Sequence, residues 1–362
     1  DIRGAAPGRP VSLRILTGCL AAGHTVDVGI GSKECIRILT GAPFPPSADA
    51  VAAQEDVTVR GDELVLERAC DRGNGVALPG EEVKEGDSLL AEGEVLTPTR
   101  LAVMVALGYE SMAVYRQPRV ALLATGDEVK ALGSSEDGPF TYCNNMYLLS
   151  WLTQLQGGKS IPLGVVGDDP CAIADHLQNT GADLVITTGG MGKGDRDFVL
   201  EAWTLLGVET LFSEINLTPG RKSALGVRGR QVFLGLPGNP WAAQVVFDEL
   251  AAPMLRRWQG LQEFSDPLVA ACLNESVRQK PGYYRAIRGI LDLAKLPALF
   301  SPCDRKGSSV CSRLDAGFAY VILGPHVVEL ASGTEVQVRL SGFPILASPL
   351  FRVTRAQHCS PS

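Results

Sequence analysis

The chain has 362 residues, a formal net charge of −7 and 45% hydrophobic residues. This length predicts two to four domains with sizeable cores, and the acidic balance argues against nucleic acid or an acidic membrane surface as a partner. No apolar run is long enough to span a bilayer, and nine cysteines without C-x-x-C spacing are typical of reduced thiols, so we expect a cytoplasmic protein without a membrane partner.

Residues 1–68 predict a small β domain of short strands and turns. The runs Val57–Val59 and Glu63–Glu67 flank Arg60-Gly61-Asp62, which indicates a hairpin. Between the strands lies TGAPFPPSADA, residues 40–50. Its prolines favour a stiff loop that costs little entropy to hold near a ligand, although a purely structural turn explains it equally well.

Residues 69–117 predict a second, small α+β segment. Thr97 and Pro98 have the residue types of a helix N-cap and first helical position, and Gly108 is typical of a helix end. The pair Gln117-Pro118 then favours a boundary.

Residues 118–261 predict the clearest α/β unit. Val120–Ala124 is continuously apolar, as expected of a parallel strand that is buried on both faces. Strands alternate with helical patterns as far as a long amphipathic helix over Trp241–Trp258. This order predicts a doubly wound sheet whose ligands lie at the carboxyl ends of the strands.

One stretch of this unit, residues 183–198, reads DLVITTGGMGKGDRDF. A buried strand, a glycine-rich loop and a helix start are the phosphate-binding arrangement of open α/β sheets, because backbone N–H groups and the helix N-terminus attract an anion. Asp195 and Asp197 would repel a bare phosphate, so they indicate a bridging magnesium ion. The alternative is that one of them only caps the helix.

Four loops end strands on the same predicted edge, around Asp127, Asn144, Asp197 and Asn239. The two asparagines are candidates for ligand contacts or for helix caps. Arg221 and Lys222, in a tight turn, together with Lys193 and Arg196, could supply the positive side of an anion site or could be solvated surface charges. We interpret Cys143 as a packed thiol rather than a nucleophile.

From residue 262 onward the helical signal disappears. Strand-like runs separated by glycine-rich turns predict a compact C-terminal β domain, barrel or sandwich, over residues 262–362.

Several blocks together resemble one family, the molybdopterin molybdenumtransferases (MoeA and the gephyrin E-domain). They are TGAPFPPSADAV, PGEEVKEGDSLLAEGEVLTPTRLAVMVALGY, PRVALLATGDEV, DLVITTGGMGKGDRDFV, VFLGLPGNPWAAQVVF and KPGYYRAIRG. They occur in the family's order and spacing over essentially the whole chain. The resemblance implies a doubly wound α/β molybdopterin-binding domain at 118–261 flanked by an N-terminal β domain, part of an elongated α+β domain at 69–117 and a C-terminal β barrel-like domain.

The resemblance also implies an activity: magnesium-dependent insertion of molybdate into adenylylated molybdopterin with release of AMP. Asp127 and Asp197 match family carboxylates, which we assign to magnesium binding and, with Asp195, to the catalytic step. The cofactor-binding residues implied are Gly189, Gly190, Gly194, Asn144, Arg221, Lys222, Pro237, Gly238, Asn239 and Pro240. The implied partners are a second copy of the chain in a homodimer, the molybdopterin adenylyltransferase and recipient molybdoenzymes.

The chain resembles a divergent member of this family. The family's D-S-N-R block reads Tyr142–Asn145, in which we assign the retained polar contact to Asn144. A family serine is replaced by Gly192, a lysine by Thr218 and an arginine by Ala77. These losses favour an alternative, a scaffold or carrier that binds the cofactor without turnover. A third hypothesis is an adenylyltransferase that acts on molybdopterin itself. The flanking β domains argue against it, because a lone α/β domain would lack them.

Overall fold

The computed structural model describes residues 5–24, 27–134, 138–191, 197–261, 268–303, 319–341 and 352–353. The chain divides into two compact units, residues 1–89 and 90–362. Within the described residues, no helix has the length and apolarity needed to cross a membrane. The domain borders at 68/69, 117/118 and 261/262 stay predictions.

The first unit contains one four-stranded sheet in the order β2-β1-β4-β3. Its strands are β1 (Val11–Leu20), β2 (Glu34–Ile38), β3 (Val57–Arg60) and β4 (Glu63–Leu66). The predicted hairpin is confirmed as the antiparallel pair β3–β4. Alternating apolar side chains of β1 and β4 bury one face of the sheet, with Leu13 and Leu66 at its centre.

The second unit begins with the predicted helix, α1 (Pro98–Ala106), and a short strand, β5 (Val114–Tyr115). The Thr97 hydroxyl accepts a hydrogen bond from the Arg100 N–H at 3.3 Å, which confirms the N-cap.

A six-stranded sheet follows, in the order β11-β13-β14-β10-β6-β9. The segments of this region are β6 (Arg119–Thr125), β7 (Val129–Lys130), β8 (Thr141–Tyr142), α2 (Asn144–Leu155), β9 (Lys159–Val166), α3 (Pro170–Leu177), β10 (Leu184–Thr188), α4 (Phe198–Leu205), β11 (Glu209–Phe212), β12 (Leu217–Thr218), β13 (Ala224–Arg228), β14 (Gln231–Leu236), α5 (Pro240–Val246) and α6 (Ala252–Trp258). Strands β14, β10, β6 and β9 run parallel, so their carboxyl ends lie at one edge.

Two helical layers cover this sheet, as the continuous apolar strands predict. Val120, Leu122 and Ala124 of β6 pack with α2, α5 and α6. The intervening Ala121 and Leu123 pack on the other face with α3 and α4. Because both faces are buried, the five central residues of β6, Val120–Ala124, are apolar at every position rather than at alternate ones.

The predicted helix over Trp241–Trp258 is confirmed, but it contains a π-helical turn, Phe247–Ala251, between α5 and α6. The Ala252 N–H donates to the Phe247 carbonyl, five residues back. Pro253 has no N–H and would crowd the preceding turn of a regular α-helix, so a widened turn just before it relieves that clash.

The C-terminal part is a closed five-stranded barrel, and the predicted fold class is confirmed. Pairing runs β17-β18-β15-β21-β19, and β19 pairs back onto β17. The strands of this part are β15 (Leu268–Leu273), β16 (Val277–Arg278), β17 (Tyr284–Asp292), β18 (Leu299–Pro302), β19 (Ala319–Leu323), β20 (Glu329–Leu330), β21 (Glu335–Leu340) and β22 (Arg352–Val353). Closure leaves no free sheet edge in the barrel wall.

Candidate functional site

The glycine-rich turn after β10 lies directly against the end of β6. Gly189 and Gly190 have φ values of +95° and +64°. A Cβ at Gly189 would lie 2.2 Å from the Thr125 carbonyl oxygen, and one at Gly190 would lie 2.6 Å from Thr125 Oγ1. Only glycine therefore fits both the backbone conformation and the space. The turn brings main-chain groups close to the carboxyl edge of the sheet.

The Pro237–Pro240 loop joins this turn. The Gly189 N–H donates to the Leu236 carbonyl at 3.1 Å, and Thr188 Oγ1 donates to the Pro237 carbonyl at 3.3 Å. Asn239 accepts from the Ala242 N–H at 3.1 Å and so caps α5, which is one of the two roles open to it from the sequence.

A buried asparagine connects three segments at this edge. Asn145, 5% exposed, donates through Nδ2 to Thr188 Oγ1 at 2.7 Å and to the Gly238 carbonyl at 3.0 Å. Asn144, the residue singled out from the sequence, is the exposed first residue of α2. The sequence analysis did not identify Asn145. It lies among the buried residues of α2 with Met146 and Leu149, and a polar residue at a buried position indicates a specific hydrogen-bonding role.

Three buried oxygens lie near these loops without a hydrogen-bond partner among the described residues: Thr125 Oγ1, Asn145 Oδ1 and Thr187 Oγ1. Buried polar atoms are usually paired, so these are available to a polar ligand or to water.

Asp127 lies in the loop after β6, beside a carboxylate that sequence reasoning missed. Its Oδ1 accepts a hydrogen bond from the Asp168 N–H at 3.0 Å. Burial raises the pKa of Asp168, and the negative charges of Asp127 and Glu128 raise it further. Asp168 follows β9 at the same sheet edge. The rule that ligands bind at the carboxyl ends of parallel strands, which identified the other loops, therefore also predicts Asp168.

Asp197 is the N-cap of α4, and its Oδ1 accepts from the Leu200 N–H at 3.4 Å. The cap suggested as the alternative reading is therefore present. Burial raises the pKa of the Asp197 carboxyl, while that hydrogen bond and the Lys222 cation lower it by less. Asp197 is thus a partly desolvated carboxylate with a cation nearby, an environment found at catalytic carboxyls.

One carboxylate holds both candidate cations of the tight turn. Glu214 accepts from Lys222 Nζ at 2.5 Å and from Arg221 Nε at 3.1 Å, and these cations keep its pKa below the usual range. The Arg221 guanidinium also lies 5.7 Å from the ring centre of Tyr283. Sequence reasoning found both cations but missed Glu214.

Asp195 and Gly194, like Lys193 and Arg196, lie outside the described residues. Among the residues that are described, no cluster of three His, Cys, Asp or Glu side chains could hold a metal ion.

The cysteines of the described ranges are unpaired thiols, and Cys143 is one that the sequence singles out. Cys143 is buried and burial raises its pKa, so it is a packed, poorly nucleophilic thiol as expected.

Known proteins match this chain along most of its length. The model of a probable molybdopterin binding domain matches residues 121–257, and that of the MoeA N-terminal region, domains I and II, matches residues 2–108. A molybdopterin molybdenumtransferase of Haemophilus influenzae is 34% identical over 249 residues, which are 68% of this chain and 61% of that protein. The Bacillus subtilis enzyme of the same name is 29% identical over 94% of this chain and 80% of its own length.

A solved MoeA protein of Pyrococcus horikoshii superposes with a TM-score of 0.80 at 28% identity, covering 93% of this chain and 83% of that chain. The two family models, the sequence relatives and this structure agree on one assignment. The chain belongs to the MoeA family of molybdenum cofactor biosynthesis proteins.

Proposed function

We propose that the chain inserts molybdate into adenylylated molybdopterin in a magnesium-dependent reaction that releases AMP. The observation that carries the proposal is Asp197, half-buried at the start of α4 with Lys222 nearby. The homodimer, the adenylyltransferase and recipient molybdoenzymes as partners, and a cytoplasmic location belong to the same proposal.

The anionic parts of the substrate would lie at the carboxyl edge of the sheet. The Gly189–Gly190 turn allows a phosphate to approach the main chain. Lys222 and Arg221 supply positive charge, which the ligand shares with Glu214. We assign the ligand contacts of Pro237–Pro240 to the same edge, because hydrogen bonds join that loop to β10 and α2.

The oxygen atoms of these carboxylates are suitable ligands for magnesium. Mg²⁺ prefers carboxylate oxygens together with water and substrate phosphates, so it needs only one or two protein ligands. Asp127 with Asp168, and Asp197, would provide such ligands, and Asp168 Oδ1 has no hydrogen-bond partner among the described residues. When bound, the cation would neutralise charge on the phosphates.

The chain's own residues mainly position the substrate. Lys222 would stabilise negative charge as the bond to the departing AMP phosphate breaks, and Asp197 would orient or deprotonate the attacking group. Asn145 would keep the loops in register around the ligand.

The test is release of AMP from adenylylated molybdopterin, with molybdate and magnesium, by the purified chain and its Asp197→Asn variant. Asparagine caps a helix as well as aspartate, so the variant should fold normally yet lose roughly 10²- to 10⁴-fold in rate. Asp292→Asn is the matched control, because Asp292 accepts from the Ala294 N–H at 2.9 Å in an exposed turn of the barrel. It should keep full activity.

Tight binding of the substrate without AMP release would contradict the transferase and support a scaffold or carrier. Equal loss in Asp197→Asn and Asp292→Asn would contradict the assignment of Asp197. Loss of activity on chelation of magnesium, restored by adding it back, is expected.

A further inference from the structure

The first unit contains a partly open cavity, and none of the residues assigned above to the transferase reaction lines it. Its volume is about 700 Å³, within the range of roughly 300–1,000 Å³ typical of small-molecule sites. Residues of all four strands of the sheet and of the loop after β2 line it, and all of them belong to residues 1–89.

Apolar side chains supply about half of the wall of the cavity. Leu13 and Leu64 are direct cross-strand partners on β1 and β4, and Leu66 lies two residues further along the same face. Phe44 and Pro45 of the stiff proline-rich loop also line the cavity. An apolar body placed here would lose contact with water, which is the main source of affinity for such ligands.

The charged groups around the cavity favour an anion. Lys33 and Arg37 are exposed and have no ion-pair partner among the described residues. Glu34 is already paired with Arg14 and accepts from the Gly31 N–H at 2.8 Å. Among the described residues that line the cavity, Asp49 is the one further acid.

Lys33 also has an unusual backbone. Its φ is +64°, in the left-handed region, which residues other than glycine rarely adopt because their Cβ crowds the following carbonyl oxygen. No other non-glycine residue among those described has a positive φ. Such local strain is often found at ligand sites.

We propose that this cavity binds a small amphipathic anion, with an aromatic or aliphatic body against Leu13, Leu64 and Phe44 and an acidic group at Lys33. The proposal is independent of the transferase reaction.

The test uses two fluorescent probes of similar shape on the full chain: anionic 8-anilinonaphthalene-1-sulfonate and neutral N-phenyl-1-naphthylamine. Both should bind at one site. Ala48→Phe, which adds a ring inside the cavity, should weaken both probes at least tenfold. Val59→Trp is a second test of whether the probes bind in the cavity. Val59 lines the cavity but is 60% exposed on the edge strand β3, so the larger side chain does not disturb the buried core.

Charge variants test the anion preference. Lys33→Gln should weaken the sulfonate about twofold to fivefold and leave the neutral probe unchanged, and Asp49→Asn should strengthen the sulfonate by a similar factor. Arg60→Gln, which removes an exposed cation outside the cavity, is the control and should change neither.

The proposal is overturned if neither probe binds, or if the cavity variants keep wild-type affinity while their thermal unfolding midpoints show them folded. Equal effects of Lys33→Gln on both probes would overturn the preference for an anion.

Discussion

At the scale of single residues, Asp197 is both the N-cap of α4 and a half-buried carboxylate. Its carboxylate caps α4 through the Leu200 N–H, and its burial raises its pKa. A raised carboxyl pKa means that folding disfavours the charged form, so the native state is penalised above the folded pKa and not below the unfolded value near 4. Such a penalty is what the role proposed for Asp197 would cost the fold.

Asp197→Asn should therefore be at least as stable as the wild type at pH 7, because it removes a disfavoured charge and keeps a cap. The gain in thermal midpoint should shrink as the pH falls below the raised pKa of folded Asp197, and should vanish below the unfolded value near 4, where both states are protonated. Midpoints measured between pH 4 and pH 8 check this. A variant that is less stable at pH 7 would contradict it.

Gly189 offers a second residue-scale prediction. Gly189→Ala should destabilise the chain by about 2 kcal/mol or more, since the new methyl meets the Thr125 carbonyl and the φ of +95° is strained. Gly207→Ala is the matched control, because Gly207 has a φ of +70° and open space around its Cβ position. It should cost only about 1 kcal/mol, from strain alone. Urea unfolding compares the two, and equal losses would contradict the role of close packing.

At the scale of secondary-structure elements, Asp183 joins the start of β10 to the start of β6. Its carboxylate accepts two hydrogen bonds from the Arg116 guanidinium, at 2.6 and 2.7 Å, and one from the Arg119 N–H at 2.8 Å. These contacts hold the pKa of Asp183 below its usual range, with the Arg116 side-chain hydrogen bonds as the main cause. The two central parallel strands are thus aligned by one side chain before their loops reach the site.

Asp183→Asn should lower the free energy of unfolding by about 1 kcal/mol at pH 7, a modest value because Arg116 is largely exposed. A lowered carboxyl pKa stabilises the fold above the unfolded value, so the difference from wild type should disappear as the pH falls below about 4. The exposed pair Arg68–Asp56 is the control, and Asp56→Asn should change little. A loss in Asp183→Asn that is independent of pH would contradict the charge-based explanation.

At the scale of the whole second unit, one carboxylate couples the helical layer to the barrel. Glu249, in the π turn, accepts from Tyr320 of β19 and Arg339 of β21, both at 2.8 Å. Burial, together with the nearby acids, raises the pKa of Tyr320, so it stays a protonated donor. The Tyr320 ring also packs edge-on against Trp241 at 5.6 Å, next to the capped start of α5. The barrel therefore supports the helix that follows the Pro237–Pro240 loop.

Tyr320→Phe should lower the free energy of unfolding by about 1 kcal/mol, because it removes one buried hydrogen bond and leaves Glu249 paired with Arg339. Tyr284→Phe, at a site 47% exposed, is the control and should stay within about 0.5 kcal/mol of wild type. Urea unfolding of both variants, and of Tyr320→Phe combined with Glu249→Gln, checks the coupling. Strictly additive losses would contradict it.

The sequence by itself determined the architecture of the chain. Continuous apolar runs such as Val120–Ala124 and the capped starts at Thr97 and Asn239 encode local structure, because burial on both faces and N-capping need particular residue types at fixed spacings. Ordered motifs then indicated the family. The tertiary structure decided what depends on contacts between distant segments. Asn145 rather than Asn144 joins the site loops, Asp168 lies beside Asp127, and Glu214 holds Arg221 and Lys222. The barrel closes because β19 pairs with β17, and no spacing along the chain encodes which distant strands or side chains meet.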